Sequence, residues 1–424
     1  MDRLLLKKAA VQSIALMVAV VTSSFALQQY QAVSISANGQ TQKSNYTSYE
    51  LAGTDPLMEV STPLKSDEEQ TASKVLPLAT NLPELKAQID EEIKDQLSES
   101  FLAIKKSGSD SPSITLEDLY VKHSIQLDLT GLKKDDIDSH SIIRVQGTEF
   151  YTGEPQWKEI VTLETDEDGS AKEVVTKDYG KDICHRVEMT TEQDNDTGLY
   201  HVSLLLELDS VYAYSIYEDT NYFYIDLKRP SDVYDRIIVI DAGHGGKDAG
   251  ALSKDKQIYE KNINLGIVRQ LKELLDQEDI KVYYTRTGDD TVFLRPRATL
   301  ANAVNCDYFV SIHCNYNDVT YPNGTEVLYY DNNFKGVTAN KLAGLFSEEL
   351  GRSIGLKSRG TVLKQMGDIF IMDKAQVPTI LIELGYLSNT GDLNYLNNPQ
   401  MHKEIAKGIY NCIIRAYNEL PVSK

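Results

Sequence analysis

The period of the apolar positions changes several times along the chain, and each change marks a new kind of element. Near the start, an apolar run from Ala9 to Val21, broken only by Gln12 and Ser13, follows the basic residues Arg3, Lys7 and Lys8. Ser24-Phe25-Ala26 then offers a small-x-small cleavage site, so residues 1–27 read as an export signal. Counted on to Leu27 the segment is about long enough to cross a bilayer, and a tether through residues 9–27 is the alternative. Residues 28–80 have no sustained period and are rich in Ser, Thr, Gln and Asn, which predicts a flexible linker. Over 81–106, Leu82, Leu85, Ile89, Ile93, Leu97 and Phe101 recur every three or four residues. That spacing predicts an amphipathic helix, with Asn81 as its N-cap and Pro83 in its first turn. Its stripe reads as a packing face.

Residues 112–230 switch to period two. Ser124–Leu129, Glu159–Leu163, Tyr200–Leu206 and Tyr222–Leu227 alternate or are β-branched and aromatic, with Gly, Asp and Asn clusters between them. Several short strands at this spacing predict a small β-sandwich-like binding domain. From 231 to 424 strands alternate with helices. Ile237–Ile240, Lys281–Arg286, Tyr308–His313, Glu326–Tyr330 and Pro378–Glu383 read as strands, and Glu260–Leu275, Lys341–Gly351 and His402–Asn418 as helices. This predicts an α/β domain, a mostly parallel sheet covered by helices on both faces.

Charge and cysteine usage narrow the function classes. A formal net charge of -20 over 424 residues argues against a nucleic-acid partner, which would call for clustered Lys and Arg. The four cysteines, at 184, 306, 314 and 412, spell neither a zinc ribbon nor a redox pair.

The chemistry gathers around Arg236–Gly250, RIIVIDAGHGGKDAG, where a buried strand runs into a loop of small residues carrying His244. Lys247 is followed by Asp248 rather than Ser or Thr, so the loop is not a P-loop. Three further polar residues stand where apolar elements end. Glu260 opens the helix after the loop, His313 ends an apolar strand, and Glu383 ends another. At the end of an apolar strand a histidine or carboxylate is costly unless it has a partner, whereas a carboxylate at a helix N-terminus such as Glu260 is also favoured by the helix dipole alone. Together they put two imidazoles and two carboxylates at one edge of one sheet. Two histidines and a glutamate leave a fourth tetrahedral position open, as catalytic zinc sites do, and the remaining carboxylate can serve as proton carrier. Spacing alone leaves open which glutamate is ligand and which is base.

The blocks Val239–Gly246, Glu260-Lys261-Asn262, Leu294–Arg297 with Ala301-Asn302, Ser311–His313 with Asn315, and Ile382–Asn389 resemble the zinc-dependent N-acetylmuramoyl-L-alanine amidases of the Amidase_3 type. The resemblance runs from about Arg236 to Ala416. It implies a peptidoglycan hydrolase with His244, Glu260 and His313 as Zn2+ ligands and Glu383 as general base. Arg297 and Asn315 are implied at the substrate, Arg297 shaping the cleft or holding carboxylates. Cys314, Tyr316 and Pro296 depart from the family pattern without removing a catalytic residue. The resemblance also implies an exported protein working in the cell wall or outside the cell. The upstream β-rich domain, ending in Ile225-Asp226-Leu227, resembles the AMIN modules that precede such amidases and would take a protein or cell-wall partner. A zinc peptidase cutting within the stem peptide and a non-catalytic peptidoglycan-binding protein are the rival readings.

Overall fold

The computed structural model describes residues 74–75, 89–98, 100–106, 113–134, 143–145, 158–165, 171–178 and 183–423. The predicted export segment 1–27 lies outside the described residues, and no helix among those described is long and apolar enough to cross a membrane. Of the predicted linker 28–80, Lys74–Val75 is described, and it forms an edge strand antiparallel to Glu188 and Met189.

The helix expected over 81–106 is corrected by the structure. Among the described residues only Glu91–Lys94 is helical there. Phe101–Lys105 is instead a strand, between Tyr222–Lys228 and Ile143–Val145. Phe101, Leu102, Ala103 and Ile104 are all buried, which demands cover on both sides, and a strand inside a sheet supplies it. Ser98 fixes the break between helix and strand, donating to Asp226 Oδ1 from its backbone N–H at 2.8 Å and its hydroxyl at 2.5 Å. Of the spaced apolar residues, Ile93 lies in the helix and Phe101 in the strand, while Leu82 and Leu85, with the expected cap Asn81 and Pro83, lie outside the described residues.

The strands expected in 112–230 form at Ser124–Leu132, Lys158–Thr165, Tyr200–Leu208 and Tyr222–Lys228. One antiparallel sheet has five strands and another four. Leu127, Val187 and Leu204 of the first share a single buried cluster with Leu102, Phe223 and Ile225 of the second.

The α/β unit holds a six-stranded sheet of β1 (Ile237–Ala242), β2 (Lys281–Tyr284), β3 (Tyr308–Asn315), β4 (Thr325–Tyr329), β5 (Ser358–Leu363) and β6 (Thr379–Tyr386), in the order β2-β1-β3-β6-β4-β5. All neighbours are parallel except β4, which runs antiparallel to β6, so the sheet is mixed. The principal helices are α1 (Glu260–Leu275), α2 (Leu294–Ala303), α3 (Ala339–Ser353), α4 (Phe370–Lys374), α5 (Thr390–Leu396) and α6 (Pro399–Glu419). Residues of α1, α3 and α6 pack with Ile238, Ile240, Val310 and Ile382 on one face. Residues of α2 and α4 pack with Ile237, Val239, Phe309 and Leu381 on the other. Side chains alternate along a strand, so Asp241, His313 and Glu383 belong to this second face. The helix between His313 and Glu383 with the most turns, α3, covers the opposite one.

The β-rich unit docks on edge strand β2 through Tyr120, which is 3% exposed. Its hydroxyl donates to the Tyr284 carbonyl at 2.9 Å and accepts from the Tyr284 N–H at 3.2 Å. Its ring meets Tyr283 edge-on, with centroids 5.1 Å apart. The pairing caps an edge strand that would otherwise offer unpaired backbone groups. Tyr120→Phe should leave Tyr284 without both partners and lower stability by about 1–3 kcal/mol. An unchanged denaturant midpoint in the full chain would contradict this role for the hydroxyl.

Candidate active site

Strand β1 delivers the chain to the sheet edge, and the backbone then turns through three successive left-handed residues, His244 (φ 62°), Gly245 (φ 137°) and Gly246 (φ 56°). A non-glycine residue in that region is uncommon and concentrates at functional sites. The loop's carbonyls cannot join the sheet, and two buried arginines take them instead. Arg286, 1% exposed, donates to Ala242 O, Gly243 O, Lys261 O and Gly288 O at 2.8–3.0 Å. Arg297, 2% exposed, donates to Ala242 O at 2.8 Å, His244 O at 2.9 Å and Val292 O at 2.7 Å. Asp241 supplies the countercharge, 2.5 Å from Arg297 Nη1, and accepts from Thr285 and Ser311 hydroxyls, each at 2.6 Å. Burial opposes ionisation of Asp241, but Arg297 leads the groups that hold its pKa down at about 2.

Glu260, at the first turn of α1, lies between the two imidazoles. Its Oε2 is 3.2 Å from His244 Nε2, and its Oε1 is 2.9 Å from His313 Nδ1. The imidazoles are T-shaped with centroids 4.8 Å apart. Glu260 is further fixed by the backbone N–H groups of Ala251 at 2.8 Å and Cys314 at 2.9 Å. Its carboxyl is buried, which alone would raise its pKa, but His244 and His313 hold it far below the usual range. His244 shows the mirror effect: burial lowers its pKa, yet Glu260 and then Asp248 bring it up to about 9. Asp248 Oδ2 lies 2.7 Å from His244 Nδ1 and so orients the ring from behind. The site is too tight for larger residues. A Cβ at Gly243 would lie 2.3 Å from His313 Nε2, and one at Gly250 would lie 2.6 Å from both Glu260 Oε2 and His244 Cδ2.

His244, Glu260 and His313 each offer a ligand atom within 4.8 Å of the others, and they form the one such group among the described residues. Two imidazoles and an ionised carboxylate suit a borderline-soft divalent cation such as zinc, and Asp248 supplies the second-layer carboxylate that metal-binding histidines usually have. The donor set therefore fits the expected metal. Glu383 stands directly opposite His313 across the β3–β6 ladder. Its Oε2 is buried without a hydrogen-bond partner. Burial, followed by the charges of Glu260 and Glu326, pushes its pKa well above the ordinary carboxylate range.

Of the two residues expected at the substrate, Arg297 is buried and its guanidinium is engaged by Asp241 and the loop carbonyls, and Asn315 is half-buried. The Asn315 side-chain oxygen accepts the N–H of Tyr316 at 2.8 Å and its carbonyl that of Leu387 at 2.8 Å, which ties it to the ends of β3 and β6. Cys314 is buried, its Sγ 3.5 Å from Asn264 Oδ1, and none of the four cysteines is in a disulfide. Sequence reading missed Asp241, Asp248 and Arg286. Asp248 had a signal, a carboxylate four residues beyond the loop histidine. Arg286 had none, because a charged residue after a strand normally reads as solvated.

Residues 238–415 match the family described as N-acetylmuramoyl-L-alanine amidase. The chain is 31% identical over 184 residues to the uncharacterized protein YqiI of Bacillus subtilis, covering 43% of this chain and 86% of that one. It is 32% identical over 183 residues to the N-acetylmuramoyl-L-alanine amidase CwlM of Bacillus licheniformis, covering 43% and 68%. It is 28% identical over 191 residues to the amidase LytC of Bacillus subtilis, of which it spans 37%. Among solved structures, an N-acetylmuramoyl-L-alanine amidase from Clostridium difficile 630 aligns at 30% identity and a TM-score of 0.41, over 44% of this chain and 98% of that one.

Arg297→Ala should act through the fold. Removing one member of a buried ion pair leaves Asp241 uncompensated, at a cost of about 3–5 kcal/mol. Chemical denaturation checks this, and a stable variant with only a raised KM would restore the substrate role.

Proposed function

The chain belongs to the N-acetylmuramoyl-L-alanine amidase family through residues 238–415, and we propose that its cell-wall chemistry runs on the four residues around the DAGHGG loop. In this reading His244, Glu260 and His313 hold a zinc ion, and Glu383 carries the proton. The enzyme hydrolyses the amide between the lactyl group of N-acetylmuramic acid and L-alanine of the stem peptide. The observation that carries the reading is the placement of Glu383. A carboxylate with an unpartnered buried oxygen faces His313 across the ladder, beside a complete two-imidazole, one-carboxylate donor set.

Zinc in that donor set supplies Lewis acidity to the scissile carbonyl and to an attacking water. Glu260, held ionised by two imidazoles, is the ligand carboxylate. Asp248 keeps the Nε2 of His244 turned toward Glu260 by binding Nδ1. Glu383, made basic by burial and by its acidic neighbours, accepts the proton of the water and returns it to the departing amine. Arg286 and Arg297 keep the loop rigid so that His244 does not drift.

The same reading places the protein outside the cytoplasmic membrane, in the cell wall, released or tethered through residues 9–27. The β-rich unit, with its single core between two antiparallel sheets, is read as a sandwich-type module that binds a cell-wall or protein partner.

Two sets of variants test the assignment. Glu383→Ala should retain zinc and lose turnover, whereas His244→Ala should lose both; turnover retained in Glu383→Ala would overturn the roles. Asp248→Ala should weaken zinc binding by about 10- to 100-fold, measured by chelator competition. The substrate is checked by mass analysis of digested peptidoglycan. Free stem peptides beginning at L-alanine, lost with chelator and restored by zinc, are expected. Fragments cut within the stem peptide would favour the peptidase instead.

A further inference from the structure

The pairing register carries the site further than the metal set. His313 on β3 is paired with Glu383 on β6, and Glu383 in turn with Glu326 on β4. Directly paired residues keep their Cβ atoms roughly 5 Å apart on one face, so these three form a polar row across the sheet edge. Arg359, near the start of β5, closes the row. Its Nε lies 2.5 Å from Glu326 Oε1, and its guanidinium lies over the Tyr386 ring at 5.5 Å. Tyr386 also donates to Glu326 Oε1 at 3.1 Å, so the arginine is held from two sides. Only Nε of its fork is engaged among the described residues, and the side chain is 36% exposed.

We propose that Arg359 binds the first carboxylate that the stem peptide presents beyond the scissile amide, the α-carboxylate of its second residue. The proposal rests on the amidase reading given above. Three observations argue for it. The chain carries a formal charge of -20, so an anionic peptide needs a local cation to approach this edge. The other arginines near the loop are consumed, Arg286 and Arg297 by backbone carbonyls, while Lys261 is tied to Gly246 O and Asp289, both at 2.7 Å. The spacing also matches. Two strand separations, about 10 Å, divide the backbones of Glu383 and Arg359. The arginine leans back over that gap through Glu326, leaving one or two peptide residues to cross it. A guanidinium anchored through Nε keeps its outer N–H edge preorganised for a second carboxylate.

The test uses the full chain loaded with zinc and two muramoyl peptides that differ only at the second residue, D-glutamate with a free α-carboxylate or its carboxamide. The wild type should prefer the carboxylate. Arg359→Ala should lower kcat/KM for the carboxylate substrate about 10- to 100-fold, mainly through KM, as expected for one charged hydrogen-bonded pair. It should leave the carboxamide within about twofold, and Arg359→Lys should keep part of the preference. Lys364→Ala controls for general loss of positive charge near Glu383 and should preserve the preference. A wild type indifferent to the two substrates, or an Arg359→Ala variant that loses the same factor of kcat on both, would overturn the proposal in favour of a role confined to holding Glu326. A wild type that cleaves neither would sink the amidase reading itself and this proposal with it.

Discussion

Everything at the active edge depends on what holds the carbonyls of Ala242, Gly243 and His244 once β1 has left the sheet. A buried carbonyl without a partner costs on the order of 1–3 kcal/mol, and here three follow one another at the turn. Water could satisfy them only by wetting the base of the site. The protein uses two guanidiniums instead, each nearly inaccessible, so the loop is satisfied from the inside. That choice forces another. A buried guanidinium needs a countercharge, and Asp241, itself tied to Thr285 and Ser311, links the ends of β1, β2, β3 and α2 into one block. His244 can then occupy a left-handed conformation that a flexible loop would leave. Function and stability meet in that block, since the residues that fix the imidazole never touch the reacting atoms.

How much of this was legible in the sequence follows from what each residue interrupts. His244, Glu260, His313 and Glu383 each end or begin an apolar element, and a polar residue in such a place stands out against its pattern. The buried strands β1, β2, β3, β4 and β6 and the helices α1, α3 and α6 were legible from their apolar periods, and α1 spans the residues its apolar face predicted, whereas α2, α4 and α5 were not read. Arg297 was visible as a residue but not in its job, because the sequence cannot say whether a guanidinium faces a cleft or the underside of a loop. Strand β5 was invisible. Its residues are mostly exposed at the sheet edge, so no hydrophobic period marks it, and Arg359 was hidden with it. The stripe over 81–106 failed in the opposite way. Among the described residues of that stripe, Ile93 belongs to a short helix and Phe101 to a strand that pairs with Tyr222–Asp226, more than a hundred residues on, and with Ile143–Val145.

The antiparallel strand β4 changes what the edge can do. In an all-parallel sheet the strands beside β6 would present only their carboxyl ends there. With β4 reversed, and β5 following it, the starts of two strands arrive at the same edge. Glu326 comes to stand beside Glu383, and Arg359 beside Glu326. The mixed topology thus extends a site confined to the ends of β1, β3 and β6 into a row that runs across most of the sheet.

That row also supports a division of labour between the two carboxylates, which spacing alone left open. Glu260 lies between two imidazoles and receives two backbone N–H groups, and these favour its charged form over the penalty of burial. It behaves as a permanent anion, which is what a metal ligand must be. Glu383 is desolvated, has no donor on its buried oxygen, and has Glu260 and Glu326 for neighbours, so its proton affinity is raised above that of an ordinary carboxylate. A group that gains and gives up a proton during a reaction needs such an environment. Two carboxylates whose surroundings drive their proton affinities apart are the usual way one site divides fixed charge from proton transfer. The ladder that sets His313 against Glu383, with Glu260 bonded to His313, brings the two carboxylates to one sheet edge, and the neighbouring Glu326 sharpens the difference between them.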